Sequence, residues 1–330
     1  MAIQNPRTFM SGFGTKFFAT LLIVFLLLES RFILAQCCST GSPVGASIYV
    51  GVLSKQSLRV NLFYRYSYSD AYFQGSEKTE ENTILNYSKY NFTGLSVAYG
   101  ITKRLTAEVD FGYFIDKTQD FKYVDYQEKG YGLSNGGVTF KYAAYVKPAR
   151  EIEFTFGAGF RYPFTFEPLE VDGVRLSRDV QPSTNAFGIN GLVFFNKGFS
   201  DISLRLFTIN RVEYNFEDHY SYQYGVALFN SIFVSKRIIP RFFGILQVRS
   251  EFRGKDFDQG EVRENSGNYL LILSPQLSYS IAGKWNVTLV FDMPVYKNYD
   301  GKQLTPKYSI ALGLSRDIDL SGKDPVVIEQ

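Results

Sequence analysis

The feature that most constrains the fold of this chain is a strict alternation of apolar and polar residues. Its clearest instance runs from Glu151 to Tyr162, where every even position is apolar and the odd positions carry Glu, Thr, Gly or Arg. Successive side chains of a β-strand point to opposite faces, so the stretch predicts a strand with one apolar and one polar face. The same pattern recurs along the chain, which is typical of a transmembrane β-barrel with apolar side chains toward lipid and polar ones toward the lumen.

Twelve such stretches follow one another, and most exceed the roughly 9–11 residues that a tilted strand needs to cross a bilayer. The predicted strands are 56–69, 89–101, 104–116, 131–147, 151–163, 185–197, 201–214, 221–235, 241–253, 268–281, 285–295 and 307–316. A backbone cylinder of this many strands would be roughly 24 Å across, which leaves room for a small-solute passage or none.

The predicted connections alternate between short and long. The short ones are 102–103, 148–150, 198–200, 237–240 and 283–284, and the long ones are 70–88, 117–130, 164–184, 215–220, 254–267 and 296–306. Short periplasmic turns alternating with long outer loops are typical of bacterial outer-membrane barrels. We therefore predict an all-β fold, a single antiparallel transmembrane barrel of about 12 strands in the outer membrane of a Gram-negative bacterium.

The N-terminus has the features of an export signal. Arg7 and Lys16 precede a short apolar run at 17–28, and Ala35 suits cleavage before Gln36. The run is too short to span a bilayer as a helix. We expect a signal peptide at 1–35, a short periplasmic segment at 36–55, the barrel at 56–316 and a periplasmic tail at 317–330.

Charge and cysteines exclude some functions. Removing the predicted signal, with its three cations and one anion, takes the formal charge from +3 to near neutral, which gives no case for nucleic acid. Cys37 and Cys38 follow the predicted cleavage site; they could form a vicinal disulfide or be unimportant thiols, carry a lipid at Cys37, or bind a metal. Gln36 before Cys37 disfavours the lipid, and two neighbouring thiolates are too few for a metal. We expect no metal and no cofactor.

The charged residues of the predicted strands share the polar face. This set contains Arg59, Arg65, Glu108, Asp110, Lys141, Glu153, Arg161, Arg205, Arg211, Glu213, Arg249, Glu251, Arg253 and Asp292. Facing lipid at mid-depth would cost roughly 2–4 kcal/mol for each Lys or Arg, so these side chains should line the lumen. Either they form a polar track for a solute, leaning toward anions because bases outnumber acids, or they pair with one another inside a closed barrel.

Catalytic motifs are weak. His219 is the only histidine, and a pair with Ser221 is imaginable because some twelve-stranded barrels are lipases. A lone loop histidine is more often solvated surface, and no helix follows the glycines at 130–132 or 157–159 to make a phosphate site. We expect no enzyme activity, with a barrel lipase a distant alternative.

Short motifs near the C-terminus carry a family resemblance. They are Asp292-Met-Pro294-Val-Tyr296, Gly301-Lys-Gln303-Leu304 and Leu312-Gly-Leu-Ser315. The chain resembles outer-membrane transporter barrels grouped with phenol-degradation (MetA-pathway) proteins and, more loosely, FadL-like transporters of hydrophobic compounds. Cys37-Cys38-Ser39 and Gln181-Pro182-Ser183-Thr184 are similar to exported barrels of Bacteroidota. The resemblance implies transport, without a substrate class.

Two functions follow as hypotheses. The first is a passive outer-membrane channel or transporter for small solutes, and the second is a non-conducting structural, adhesion or assembly barrel. The expected partners are outer-membrane lipid, small solutes and the barrel assembly machinery during biogenesis.

Overall fold

The computed structural model describes residues 51–81, 83–281 and 285–321, so the predicted signal peptide, Cys37, Cys38 and the tail from residue 322 onward lie outside the described residues. Within these ranges the chain forms a closed antiparallel barrel. Its segments are β1 Ser57–Gly75, β2 Leu85–Gly100, β3 Leu105–Phe121, β4 Gly136–Lys147, β5 Ile152–Tyr162, β6 Gly188–Phe199, β7 Leu204–Asn215, β8 Ala227–Ile239, β9 Phe242–Arg253, β10 Asn268–Ile281 and β11 Trp285–Asp319. The described residues contain no helix that is long and apolar enough to cross a membrane.

The last segment, β11, crosses the wall twice. Its first part pairs with β10, and its second part pairs with β1 and closes the barrel. The chain reverses at Gly301, whose φ of 71° is one that glycine adopts without strain. The wall therefore has the twelve crossings that the sequence predicts.

The predicted long loop at 296–306 is wrong, because the chain stays extended through it and turns tightly at Gly301. Tyr299 and Leu304 are buried on either side of this turn, and Lys297 donates a hydrogen bond to Thr305 at 3.0 Å. These contacts stabilise a hairpin, although its sequence is as polar as that of a typical loop.

Two other strand boundaries differ for reasons of pairing. The strand predicted from residue 221 begins at Ala227, because Tyr222–Gln223 pairs instead with Phe257–Asp258. The strand predicted from residue 131 begins at Gly136, because Gln127–Leu133 is a separate strand that pairs with the outer part of β3.

The connections separate the two ends of the barrel. At one end, the short-turn end, lie the connections 101–104, 148–151, 200–203 and 240–241, together with Ser57, Ile281, Trp285 and Asp319. At the other, the loop end, lie 76–81, 83–84, 122–135, 163–187, 216–226, 254–267 and the turn at Gly301.

Short elements decorate these connections within the described residues. The 3-10 helices are Pro148–Arg150, Arg178–Val180 and Ser200–Ile202, and the short strands not yet named are Glu77–Thr79, Glu170–Val171, Val174–Arg175 and Glu261–Val262.

Exposure follows the alternation along each strand. On β3, Val109 is 47% exposed and Phe111 41%, whereas the intervening charged residue Asp110 is half-buried and Thr106 is fully buried. Exposed large apolar side chains occur on every barrel segment. A continuous apolar exterior on a closed barrel suits lipid and would aggregate in water.

Candidate functional site in the barrel lumen

None of the fourteen predicted inward charged residues is exposed. Arg65, Lys141, Arg161, Arg249 and Asp292 are buried, and the other nine are partly buried. Most of their charged groups lie within bonding distance of groups from neighbouring or more distant strands. The interior is therefore built from ion pairs and hydrogen bonds that join the strands across the barrel.

Asp292 lies at the centre of the largest network. Its carboxylate, 3% exposed, accepts from Arg65 Nη1 at 2.9 Å and from Arg249 Nη2 at 3.1 Å. Ser274 and Ser309 donate to the same carboxylate at 2.6 and 3.0 Å. Four donors satisfy this buried anion, and removing one cation would cost roughly 3–5 kcal/mol in such a setting.

The remaining inward charges form smaller contacts. Five of these contacts are ion pairs: Lys141 with Glu108 at 2.8 Å, Arg161 with Asp110 at 3.0 Å, Arg59 with Asp317 at 2.6 Å, Arg211 with Glu213 at 3.5 Å and Arg249 Nε with Glu251 at 2.7 Å. Two are hydrogen bonds, in which Arg205 donates to Asn196 and Glu153 accepts from Val52 N at 2.9 Å. The Arg253 guanidinium lies over the Phe229 ring, 5.4 Å from its centre. Arg205 and Arg249, both predicted to face the lumen, thus have separate partners.

A segment of the 163–187 loop covers the lumen at the loop end. We call residues Val180–Ala186 the lumen cap; all seven are buried. Asn135, directly before β4, holds it in place, because its amide donates to Thr184 Oγ1 at 2.6 Å and accepts from Ser183 Oγ at 2.6 Å and Thr184 N at 3.0 Å. Lys117 donates to the Gln181 carbonyl at 2.9 Å. The sequence predicted an outer loop here and gave no sign that it folds inward.

Other loops support the cap from outside. Arg178, just before it, pairs with the buried Asp218 at 2.7 Å, and its guanidinium lies 3.7 Å from the centre of the Tyr222 ring. Tyr222 is 2% exposed and its hydroxyl donates to Asp256. Burial raises the pKa of Tyr222, and the Asp256 charge adds to this shift, so the phenol stays protonated as a donor.

The short-turn end is covered differently. The stretch Gly51–Leu53, which we call the mouth segment, lies against inward residues of two separate strands. Val52 N donates to Glu153 Oε1 at 2.9 Å on β5, and Leu53 N donates to Thr106 Oγ1 at 2.8 Å on β3. Because β5 lies four strands from the start of β1, the mouth segment extends across part of the opening.

An apolar cluster lies on the inward faces of β6–β9, in the half of the barrel toward this end. The cluster consists of Leu192, Phe194, Phe207, Phe233 and Ile245, all buried. The Phe207 and Phe233 rings stack with centroids 4.4 Å apart. These phenylalanines occupy positions that the alternation assigns to the polar face, so sequence reasoning missed them.

A second aromatic cluster lies at mid-height on β1–β3. Phe63, Phe92 and Phe114 pack together, and Phe114 is fully buried. Gly94 and Gly112 are opposite each other and leave space for the rings, since a Cβ on Gly112 would lie 2.1 Å from Phe92. The wall therefore accommodates inward aromatic rings where it carries glycine.

His219 does not form a catalytic arrangement with Ser221. The histidine is exposed and its ring packs against Phe166 with centroids 5.4 Å apart. The Ser221 backbone has a φ of 57°, and its N–H donates to the Asp218 carbonyl at 3.1 Å. Both residues belong to the loop architecture.

The barrel interior also contains a partly open cavity of about 110 Å³, which is bordered by Asp179, the residue directly before the cap. Its lining combines the Asp292 network with Arg253, Asn268, Phe229, Leu270 and Ile272. This is a small cavity with a mixed polar and apolar lining.

Comparison with known proteins gives the fold. No family model matches the chain, and no curated protein matches it. Among solved structures, an outer-membrane channel from Pseudomonas putida F1 aligns with a TM-score of 0.65 at 11% identity, over 82% of this chain and 99% of that chain. The translocator domain of the autotransporter NalP from Neisseria meningitidis has a TM-score of 0.44 at 9% identity, over 92% of this chain and 95% of that domain. The monoaromatic hydrocarbon channel CymD has a TM-score of 0.41 at 9% identity, over 81% of this chain and 89% of that chain.

The first of these likenesses, together with the apolar exterior, establishes the architecture. This chain is a closed antiparallel β-barrel of the outer-membrane type.

Proposed function

We propose that the protein is a passive outer-membrane channel or transporter that lets small solutes cross through its charged lumen. The observation that carries this proposal is the charged, partly open cavity of about 110 Å³ inside a barrel whose covers are not part of the wall. A barrel needed only for its exterior gains nothing from a chamber of this kind.

The covers are compatible with opening. The lumen cap belongs to a connecting loop and the mouth segment precedes β1, and both are held by side-chain contacts such as those of Asn135 and Thr106. Moving either one breaks a few hydrogen bonds, each worth roughly 0.5–1.5 kcal/mol net, and leaves the strand pairing intact. A solute path can therefore form without unfolding the barrel.

The test is conductance of the refolded chain in planar lipid bilayers. Replacing residues 178–186 with a Gly-Ser linker of equal length removes the contacts to Asn135, Lys117 and Asp218, so the conductance should rise several times. The matched control replaces the exposed hairpin tip at 172–174 with Gly-Ser, which should leave conductance unchanged. Absence of conductance in all three proteins would contradict the proposal.

A non-conducting structural barrel is the second candidate, and a specific observation favours it. The inward charges are extensively paired, as in the Asp292 network, and both ends are covered. The same recordings decide between the two, because a structural barrel would stay closed even after the cap is replaced.

A further inference from the structure

Arg253 differs from the other inward cations. Arg249 binds both Asp292 and Glu251, but the Arg253 guanidinium lies over the Phe229 ring at 5.4 Å. Among the described residues, no carboxylate lies within ion-pair distance of Arg253. A half-buried guanidinium presents five N–H donors in a planar fork that matches a carboxylate.

Asn268 provides a second polar group at the same place. It is the residue directly opposite Arg253 on the neighbouring strand, it is 3% exposed, and it borders the cavity. Its side-chain oxygen has no hydrogen-bond partner among the described residues. Rotating this amide by 180° places its NH₂ group where the oxygen lies, so Asn268 can present a donor to an anion.

An apolar wall adjoins this polar pair. Leu270 and Ile272 are the next inward residues along β10, and each is 4% exposed. Phe229, on β8, completes the surface on the other side of β9. The cavity of about 110 Å³ is of a size that suits a small molecule.

The charge around the cavity favours an anion. Its charged lining consists of Arg65, Lys89, Lys117, Arg249 and Arg253 against Asp179, Glu251 and Asp292. Both Asp292 and Glu251 are held by Arg249, and the Lys89 ammonium is directed at the Tyr87 ring, 6.0 Å away. Arg253 is therefore the cation best placed to receive an external carboxylate.

We propose that the cavity binds a small monocarboxylate with an apolar body. Its carboxylate would bind Arg253 and Asn268, and its body would pack against Phe229, Leu270 and Ile272. This inference deepens the proposed function and rests on it for its biological role, since it names the class of solute that the lumen selects. Binding itself can be measured without any transport.

Benzoate is a suitable probe, with benzyl alcohol as the uncharged counterpart and acetate as the anion without an apolar body. Calorimetry on the mature chain in detergent should show benzoate binding at least tenfold more tightly than either. Arg253→Gln should weaken benzoate binding about tenfold or more, because it removes a charge-assisted bidentate contact. Arg104→Gln, an exposed arginine in a short turn, should leave binding unchanged.

A second variant guards against misfolding of the first. Asn268→Leu keeps the size and removes the amide, so it should weaken benzoate and leave benzyl alcohol unaffected. Equal binding of benzoate and benzyl alcohol, or unchanged benzoate binding in both folded variants, would overturn the inference.

Conductance separates this inference from the proposed function. If the barrel conducts potassium chloride but benzoate neither binds nor blocks the current, the proposed carboxylate site is contradicted and the channel function is supported. If benzoate binds in the predicted order but no variant conducts, the site stands and the channel is wrong.

Discussion

The two ends of the barrel are covered by different physical means. Toward the short-turn end, stacked rings such as Phe207 and Phe233 pack inside the barrel, and two backbone N–H groups of the mouth segment donate to side chains of the wall. At the loop end, the lumen cap is held by polar contacts, with Asn135 alone making three short ones to it. One cover is largely apolar packing, and the other is a hydrogen-bonded network.

This difference indicates which end is suited to opening. Apolar packing is lost only by creating a cavity, which costs stability in proportion to the volume vacated. A polar segment can exchange its hydrogen bonds for water at a small net cost. The loop end should therefore respond to ligands and pH, while the short-turn end should contribute to the stability of the barrel.

Truncation of Phe207 should have the largest effect. Phe207→Ala removes a ring that is 2% exposed, so it should lower the free energy of unfolding by about 3–5 kcal/mol. Urea unfolding of the folded barrel in detergent measures this loss. Phe195→Ala, on the outward face of β6 and 39% exposed, is the control and should cost much less. Equal losses would mean that the aromatic cluster does not stabilise the short-turn end.

Asn135→Ala should release the lumen cap and leave the barrel intact. The hydrogen bonds to Ser183 and Thr184 contribute on the order of 2 kcal/mol to docking, allowing for their replacement by water. Hydrogen exchange of peptides covering the cap should accelerate, with an unchanged urea midpoint. Asn196→Ala, whose side chain contacts Arg205 in the short-turn half, should not affect the cap. Unchanged cap protection in Asn135→Ala would remove the distinction between the two ends.

The wall of this barrel could be predicted from sequence, and its covers could not. Alternation has a period of two residues in every strand, so positions such as Val109 and Asp110 could be assigned to opposite faces. The lumen cap depends on Asn135 and Lys117, which are distant in sequence and specify nothing about the 163–187 loop by themselves. Inward phenylalanines such as Phe207 depart from the alternation, because they pack against one another on the face where polar side chains are expected.

The turn at Gly301 shows a second limit. Residues 296–306 contain Lys, Asn and Asp, a composition typical of loops, yet they form a continuous hairpin. Beyond the bilayer a strand has no lipid-facing side, so its sequence need not alternate. Interior positions of the candidate site, including Asn268, were likewise missed because an uncharged polar residue carries little signal.

Thr106→Val should loosen the mouth segment modestly. It replaces the hydroxyl that accepts from Leu53 N at 2.8 Å with a methyl group of similar size, at a cost of about 1 kcal/mol. Hydrogen exchange of the Leu53 amide should accelerate while the cap stays protected. The matched control is Thr139→Val, because the Thr139 hydroxyl lies 3.5 Å from Asn190 Oδ1 and makes no contact with the mouth segment among the described hydrogen bonds. Faster hydrogen exchange of the lumen cap in Thr106→Val would show that the two ends of the barrel are coupled.

The smallest expected effect is a pH dependence of the lumen cap through Asp179. Desolvation by the surrounding protein raises the pKa of the Asp179 carboxyl, while the charge of the Lys117 ammonium opposes this shift. A raised folded-state pKa means that the docked cap prefers the protonated acid. Its contribution is thus complete below the unfolded pKa and is lost as the pH rises through the folded pKa. Because Asp179 keeps exposure toward the cavity, screening keeps the effect small. Cap protection, corrected for intrinsic exchange, should be slightly higher in acid than at neutral pH, and Asp179→Asn should abolish the difference. Lower cap protection in acid would show that the Lys117 charge outweighs desolvation at Asp179, and acid would then favour release of the cap.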